Sequence, residues 1–247
     1  MFVTLPNTFV KMKEDHLQKI YNQEQSEYLS NNPTWHEEDS PWKAKQIERL
    51  LSRNTLKLST VAEVGCGAGE ILNQLHAKLN PEITFFGYDI SPDAHEIARK
   101  KAKERLMFFH ENFLEKSVSY DLLLMMDVFE HVEDYFGFIK NCSEKATYKI
   151  FHIPLDISVS SVLRNEIING RKSVGHIHYF MKDTALSTLK DCNLEIIDYM
   201  YTAGAVELSN RKLKTRLLNI PRRFFFKICP DLCVRVFGGY SILVLAR

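Results

Sequence analysis

A short apolar run that ends in three alternating glycines constrains the fold of this chain more than any other feature. Residues 60–70 read Thr-Val-Ala-Glu-Val-Gly-Cys-Gly-Ala-Gly-Glu, and Ile71, Leu72, Leu75 and Leu79 follow at helical spacing. Glycine lets the backbone turn sharply and lets a ligand approach it, because no Cβ stands in the way. The stretch predicts a buried strand, a tight turn and a helix, and the turn either binds a ligand or only connects the two elements.

Apolar strands and amphipathic helices alternate along most of the chain. We predict strands over 61–64, 83–88, 106–109, 120–126, 146–153, 194–201 and 240–246. Helices are expected over 41–51, after the glycines, from Ser91-Pro92-Asp93 onward, and near 183–191, with Ser91 as a cap and Pro92 at the first helical position. Strands that are apolar throughout indicate a parallel sheet covered on both faces. The prediction is an α/β fold with a doubly wound, mostly parallel seven-stranded sheet.

Four segments divide the predicted organisation. Residues 1–55 are expected to form an N-terminal helical lid, and 56–247 the main domain. Inside that domain, 154–180 is expected to overhang the substrate, and 203–238 is a helical insertion before the last strand. Two tryptophans of the first segment and the residue after each of them either close over the cofactor as part of the lid or anchor the segment in the core. These residues are Trp35, His36, Trp42 and Lys43.

Composition excludes several classes of protein. The net charge is only +1, so the chain as a whole does not indicate a nucleic-acid or membrane partner. The most apolar stretch, 224–246, is interrupted by charges and paired glycines, so we do not expect it to span a bilayer. The N-terminus lacks the pattern of a signal peptide, and the five cysteines are odd in number without the paired spacing of a zinc site. We expect reduced thiols and a cytoplasmic location.

An acidic residue ends the second predicted strand about 20 residues beyond the glycines. Asp89 there can accept both ribose hydroxyls of a bound nucleoside, and NAD-binding proteins share that arrangement, so the acid alone does not identify the cofactor. A dinucleotide turn usually runs Gly-x-Gly-x-x-Gly, but Glu70 occupies the position of the third glycine. Its carboxylate repels a diphosphate and tolerates a cationic sulfonium. An NAD-dependent oxidoreductase is therefore disfavoured.

Four motifs in sequence resemble those of the class I S-adenosylmethionine-dependent methyltransferases. Residues 63–69 resemble motif I, 88–91 motif II, and 111–113 the segment that flanks the adenine. Residues 120–132 resemble motif IV of the small-molecule group that includes the ubiquinone-pathway methyltransferases. The resemblance implies a Rossmann-like methyltransferase fold, S-adenosylmethionine as cofactor, and methyl transfer, with O-methylation favoured, to a small-molecule, sugar or lipid-linked acceptor. A non-catalytic regulatory module of the same fold is the alternative.

The resemblance also implies which residues hold the cofactor. Glu63 orients the ammonium group, the glycine turn meets the methionine part, and Asp89 takes the ribose. Ile90 and Phe113 sandwich the adenine, while Asn112, where many relatives carry Asp, bonds its amino edge. The full implied set is Glu63, Gly65, Cys66, Gly67, Gly69, Asp89, Ile90, Asn112, Phe113 and Asp127.

His131, just past the fourth strand, is the candidate catalytic residue. Methyl transfer needs nucleophile, methyl carbon and sulfur in line, and an oxygen or nitrogen nucleophile also loses a proton. His131 is a base for that proton, a structural residue, or a metal ligand. Asp127-x-x-Glu130-His131 is similar to the Glu-x-x-Glu-His ligand set of ubiquinone-pathway and small-RNA 2′-O-methyltransferases, with a shorter first residue. We expect no metal and keep Asp127, Glu130 and His131 as the alternative.

Two later features concern the acceptor. His176 and His178 have the alternate spacing that places both on one side of an extended segment, where they contact the acceptor or support the fold. Residues 211–227 hold seven basic residues and no acidic one, among leucines and phenylalanines. This insertion is either a solvated helical flap or a surface for an anionic membrane or lipid-linked acceptor, which would place the protein at the inner membrane surface. Nucleic acid is not expected, because a second basic patch is missing.

Overall fold

A computed structural model describes residues 37–208 and 222–247. Its seven-stranded sheet has the order β3-β2-β1-β4-β5-β7-β6, with β7 antiparallel to β5 and β6 and the other pairs parallel. Each strand ends within two residues of its predicted bounds. The strands are β1 Thr60–Val64, β2 Thr84–Asp89, β3 Leu106–His110, β4 Tyr120–Met126, β5 Ala146–Pro154, β6 Ile196–Thr202 and β7 Ser241–Ala246. The predicted fold class, a Rossmann-like methyltransferase sheet, is confirmed.

Helices cover the sheet and connect its strands. Ser91 caps one of them as predicted, because its Oγ accepts from Ala94 N–H at 3.4 Å. The α-helices are α1 Ser40–Ser52, α2 Glu70–Lys78, α3 Pro92–Ala98, α4 Tyr135–Ser143, α5 Val159–Leu163, α6 Glu166–Val174, α7 Lys182–Asp191, α8 Gly204–Glu207, α9 over 222–228 and α10 Pro230–Phe237. Short 3₁₀ helices lie at Glu37–Asp39, Arg99–Lys101, Phe113–Glu115 and Phe129–His131.

The core consists of two apolar layers, one on each face of the sheet. Strand β4 contributes to both: Leu122 and Leu124 belong to one layer, and Leu123 and Met125 to the other. All four side chains are fully buried. This two-sided burial explains why the strands read as continuous apolar runs in the sequence.

Helix α1 is part of the domain core. Its Ala44, Ile47 and Leu50 are fully buried in the same layer as Val61 of β1. Beyond its C-terminus, Arg53 Nη2 and Asn54 Nδ2 donate to the two oxygens of Asp198 on β6, at 2.9 and 3.0 Å. The N-terminus of α1 therefore occupies a fixed position above the carboxyl ends of the strands. Trp35 and His36 lie outside the described residues.

The two connections singled out in the sequence are largely helical. Residues 154–180 contain α5 and α6, and the described parts of 203–238 contain α8, α9 and α10. The predicted helical spacing of Leu213, Leu217 and Ile220 falls within 209–221, outside the described residues. Among residues 37–208 and 222–247, no helix is both long and apolar enough to cross a bilayer.

Candidate functional site

The glycine turn lies at the carboxyl end of β1 and is tied to β2. Gly65 and Gly67 have φ values of 69° and 52°, which favour glycine. The N–H groups of Gly65 and Cys66 both donate to the carbonyl of Tyr88, at 2.8 and 3.1 Å. A Cβ on Gly65 would lie 2.9 Å from Val128 Cγ2. The turn is therefore fixed from two sides, and its outer surface lines a cavity.

Gly69 has a different reason to be glycine. Its φ is 72°, and a Cβ there would collide with the ring of Phe108 on β3. The described cavity wall includes Gly65, Cys66 and Gly67, but not Gly69. Gly69 therefore starts α2 and allows close packing, and the structure does not bring it to the place where a cofactor would lie.

Asp89 organises the turn and still has capacity for a ligand. Its Oδ2 accepts from Gly67 N–H and its Oδ1 from Ser91 N–H, both at 2.8 Å. Burial raises the pKa of the Asp89 carboxyl, and these two hydrogen bonds oppose the rise. Each carboxylate oxygen has two acceptor sites, and the two bonds to Gly67 and Ser91 use one on each oxygen. Asp89 can therefore accept a pair of neighbouring hydroxyls.

Glu63, on β1, is a buried carboxyl group with an unmatched oxygen. Its side chain is 1% exposed, and Oε2 has no hydrogen-bond partner in the described structure. Burial raises the pKa of Glu63 well above its ordinary value; the charge of Lys43 opposes this effect and Asp89 reinforces it. An unsatisfied buried polar atom is unfavourable, so its presence on a cavity wall indicates a site for a cationic or donor group.

The implied adenine residues lie at one end of the same cavity. Ile90 is 37% exposed and lines it. Phe113 also lines it but is buried, stacked on Tyr120 and edge-on to Tyr88. Asn112 is already engaged, since its Oδ1 accepts from Leu114 N–H at 3.1 Å. An apolar wall for a flat ring is therefore in place, while the expected sandwich stays a prediction.

Glu70 bears on the dinucleotide alternative. It starts α2 and lines the cavity beside the glycine turn. Its two oxygens accept from Asn73 Nδ2 and Gln74 Nε2, at 3.1 and 2.7 Å. A carboxylate held at this helix N-terminus disfavours the diphosphate that such a terminus would otherwise attract.

The cavity is large enough for two ligands. Its volume is about 1390 Å³, whereas pockets for a single small molecule usually measure about 300–1000 Å³. It extends from the glycine turn and Asp89, past Asp127 and His131, to residues of the 154–180 connection. A nucleoside cofactor and an acceptor can therefore lie side by side in it.

Asp127 follows β4 and is held by residues from two other elements. It has a φ of 57°. Lys43 Nζ lies 2.7 Å from its Oδ2 and His152 Nδ1 lies 2.6 Å from its Oδ1. His152 Nε2 in turn lies 2.9 Å from Thr202 Oγ1. Burial acts against the charge of Asp127, but His152 and Lys43 outweigh it and hold its pKa far below the ordinary value. Neither the partner of Lys43 nor the role of His152 was predicted from the sequence.

A second cluster lies beside the 154–180 connection, where His131 and His176 line the cavity and Glu130 is buried behind them. Glu130, His131 and His176 each offer a ligand atom, and these atoms lie within 4.8 Å of one another. His131 Nδ1 bonds the carbonyl of Gly175 at 3.1 Å, so this nitrogen carries the proton and Nε2 is left to accept one. Burial and His176 lower the pKa of His131 to about 4.

Glu130 is the unusual member of this cluster, because its buried carboxyl group is not satisfied by hydrogen bonds. Both of its carboxyl oxygens are buried without a hydrogen-bond partner in the described structure. Burial, reinforced by Asp127, raises the pKa of Glu130 well above its ordinary value. Two unsatisfied oxygens beside two imidazoles fit a divalent cation, for which carboxylate and imidazole are suitable ligands.

The structure regroups the candidates at this end. Asp127 is engaged by Lys43 and His152, and the third member of the cluster is His176. His178 does not line the described cavity, and its Nε2 bonds the carbonyl of Val132 at 2.9 Å. The backbone N–H of His178 also donates to the carbonyl of Glu130, at 3.1 Å. The two histidines therefore do not act on one side of an extended segment.

Known proteins resemble this chain in sequence. Residues 35–199 match a family described as "Methyltransferase domain". A ubiquinone biosynthesis O-methyltransferase from Colwellia psychrerythraea is 31% identical over 129 residues, which are 49% of this chain and 51% of that protein. One from Xanthomonas euvesicatoria is 26% identical over 186 residues, 66% of this chain and 77% of that protein. The chain therefore spans about half the length of the Colwellia relative.

Solved structures support the same fold. Magnesium protoporphyrin IX methyltransferase from Synechocystis PCC 6803, with bound SAH, superposes with a TM-score of 0.56 at 17% identity, covering 98% of this chain and all of that one. A putative methyltransferase in complex with the Haloferax volcanii Trm112 activator gives a TM-score of 0.61 at 16% identity, covering 92% of this chain and 96% of that one. Because the family match covers more than half of the sequence, this chain belongs to the S-adenosylmethionine-dependent methyltransferase domain family.

Proposed function

We propose that this family member binds S-adenosylmethionine beside its glycine turn and transfers the methyl group to a small-molecule acceptor in the adjoining part of the cavity. The observation that carries the proposal is the buried carboxyl oxygen of Glu63 that has no hydrogen-bond partner in the described structure. It lies near Asp89, whose carboxylate can accept further hydrogen bonds. These two groups match the ammonium and the ribose hydroxyls of this cofactor. The family membership supports the same assignment.

The glycine turn and Lys43 can bind the amino-acid part of the cofactor. The N–H groups of Gly65, Cys66 and Gly67 already donate to Tyr88 and Asp89. The turn therefore offers carbonyl oxygens, which can accept from an ammonium group. Lys43 has three donors, one of which serves Asp127, so it can also meet a carboxylate. A zwitterionic ligand thus finds opposite charges in place.

His131 is the residue we assign to proton removal. When bound, the cofactor supplies an electrophilic methyl group on a sulfonium that departs as a neutral thioether. An acceptor hydroxyl that forms the new bond to that carbon must lose its proton, and His131 Nε2 can take it. With a pKa of about 4, His131 is neutral at pH 7 and ready to accept. The low pKa also makes His131 a weak base, which limits the driving force for proton transfer from the hydroxyl. Much of the rate acceleration must therefore come from the positioning of the two substrates in the cavity.

O-methylation of a small, sugar or lipid-linked acceptor is the form of the reaction we favour. Two relatives are named as O-methyltransferases. The cavity volume of about 1390 Å³ leaves room for an acceptor larger than a simple phenol.

A second candidate is methyl transfer that uses a divalent cation, and Glu130 favours it. Glu130, His131 and His176 would hold the ion, which would lower the pKa of an acceptor hydroxyl bound to it. His131 would then be a ligand and would not serve as the base. Metal binding measured apart from turnover separates the two candidates.

The test of the proposed function has two stages. Calorimetry is expected to give binding heat for S-adenosylmethionine and its demethylated product and none for NAD. Incubation with cofactor labelled in its methyl group and fractionated cell extract should then yield a labelled product by mass spectrometry. Heat with NAD alone would contradict the cofactor assignment. Cofactor binding with no labelled product in any extract would favour a non-catalytic regulatory module.

A further inference from the structure

Large apolar side chains are exposed together on one group of helices. Among the described residues, twelve large hydrophobic side chains are exposed. Seven of them lie on α5, α9 and α10, and the extreme values are 80% for Leu163 and 66% for Ile228. Isolated exposed side chains are normal in monomers, but concentrated ones mark an interaction surface. We call this set the apolar face: Val159, Val162, Leu163, Phe224, Phe225, Ile228 and Leu232.

The elements of the apolar face pack against one another. Helices α5 and α10 are in contact, and the backbone of Gly238, after α10, lies close enough to Ser158 that a Cβ would come within 2.5 Å of its Oγ. Helices α9 and α10 are joined at Cys229, whose N–H donates to the carbonyl of Phe225 at 2.9 Å. The helices that carry the exposed side chains therefore pack together, although α5 is distant in sequence.

The same part of the chain carries a concentrated positive charge. Residues 222–228 of α9 hold Arg222, Arg223 and Lys227 and no acidic residue, a charge of +3. Residues 159–174 add Arg164, Arg171 and Lys172 against Glu166, a charge of +2. Since the whole chain has +1, the rest of it carries −4. The apolar face is thus flanked by basic sequence in an otherwise acidic protein.

We propose that the apolar face docks on an anionic lipid surface. Apolar side chains that enter the interface, flanked by Lys and Arg that meet lipid phosphates, are the combination such a surface binds. A second copy of the chain is a poorer occupant, because it would bring the same basic segments against each other. The positive charge beside the apolar face therefore favours an anionic lipid surface over a second copy of the chain.

Docking in this way would connect the lipid surface to the cavity. Ser161 of α5, Ile167 and Gly170 of α6, and Tyr240 after α10 all line the cavity wall. Helix α5, which carries three residues of the apolar face, therefore also lines the cavity, together with its neighbour α6. If the proposed function holds, the acceptor is a lipid-linked molecule that reaches the cavity from the lipid surface.

Co-sedimentation of the full-length chain with vesicles tests this proposal. We expect recovery with vesicles of phosphatidylglycerol and phosphatidylcholine, little recovery with phosphatidylcholine alone, and a strong decrease with salt. V162S/L163S and F224S/I228S should each weaken binding about tenfold or more. Ile197→Ser, which removes an exposed apolar side chain of β6, is the matched control and should bind as the native chain does.

The assay also separates failure of the docking surface from failure of the proposed function. All variants should keep native affinity for S-adenosylmethionine in calorimetry without vesicles. A chain that binds vesicles but not the cofactor would overturn the proposed function and leave the apolar face intact. Equal recovery in the supernatant with every vesicle would overturn the docking surface. So would a dimer in analytical ultracentrifugation that the two double variants dissociate, since a second copy would then cover the face.

Discussion

Lys43 Nζ lies 2.7 Å from Asp127 Oδ2, which links the helix that precedes the sheet to the end of its fourth strand. The second oxygen of Asp127 is held by His152 of β5 at 2.6 Å. Three separate elements thus meet at one carboxylate on the cavity wall. Because α1 is also packed into the core through Ile47 and Leu50, the pair fixes the position of Lys43 beside Glu63.

We predict that Asp127→Asn destabilises the protein by about 3 kcal/mol, because it leaves Lys43 partly buried without its counter-charge. The double variant K43M/D127N should recover part of this loss, with a coupling free energy of about 1–3 kcal/mol. Urea unfolding of the native chain, both single variants and the double variant gives all four free energies. Additive effects would contradict the pairing.

The pH dependence of this pair follows from the lowered pKa of Asp127. Stabilisation by a carboxyl group with a lowered pKa is fully present above its ordinary pKa of about 4, and is lost as the pH falls toward the folded-state value. The difference in unfolding free energy between the native chain and Asp127→Asn should therefore be constant from pH 6 to 8 and narrow below about pH 4. A difference that narrows near neutral pH would indicate another titrating group.

Asp89→Ala should weaken binding of S-adenosylmethionine by about 1.5–3 kcal/mol, the usual scale for lost hydrogen bonds to a charged group. Part of any effect will come from the turn, since Asp89 also accepts from Gly67 and Ser91. Asp121→Ala is a matched control, because Asp121 accepts from the N–H groups of Ser59 and Thr60 away from the described cavity. Both variants should melt earlier than the native chain, and only Asp89→Ala should lose affinity in calorimetry.

The sheet was predictable from the sequence because most of its strands are buried on both faces. Such strands read as continuous apolar runs between turn and cap signals, so their bounds were found within two residues. Gly65 and Asp89 were predictable for a similar reason, since each directly follows or ends a strand. The positions of strands and of the residues at their ends can therefore be read from the local sequence.

The partners of Asp127 and the fate of the two histidines were not predictable in this way. His152 and Lys43 meet Asp127 only because the sheet order places β5 beside β4 and because α1 packs into a core layer on the same sheet. His176 and His178 suggested an extended segment with both rings on one side. The carbonyl of Glu130 instead accepts from the N–H groups of Ile177 and His178, and the ring of His176 lies against His131 while that of His178 lies against Tyr135.

The Glu130 cluster leads to a prediction about metal binding. If the second candidate holds, titration of the chain with Mn²⁺ or Zn²⁺ in calorimetry should show one ion per chain, because two buried oxygens of Glu130 lack partners beside two imidazoles. Glu130→Gln and His176→Ala should each weaken binding about tenfold or more. His178→Ala is the control, since its ring bonds the carbonyl of Val132. Absence of binding in the native chain would leave His131 as the base.

The raised pKa of Glu63 predicts that cofactor binding releases a proton. A carboxyl group whose folded pKa is raised favours the protonated form, and the stability it contributes is lost as the pH rises through that value. An ammonium group placed beside Glu63 favours the ionised form, so binding at pH 7 should release up to one proton and tighten as the pH rises. Calorimetry in phosphate and Tris, whose ionisation enthalpies differ, measures this number. Glu63→Gln should abolish the release, and adenosine, which lacks the ammonium, should cause none. Equal proton release by the native chain and Glu63→Gln would place the ammonium elsewhere in the cavity.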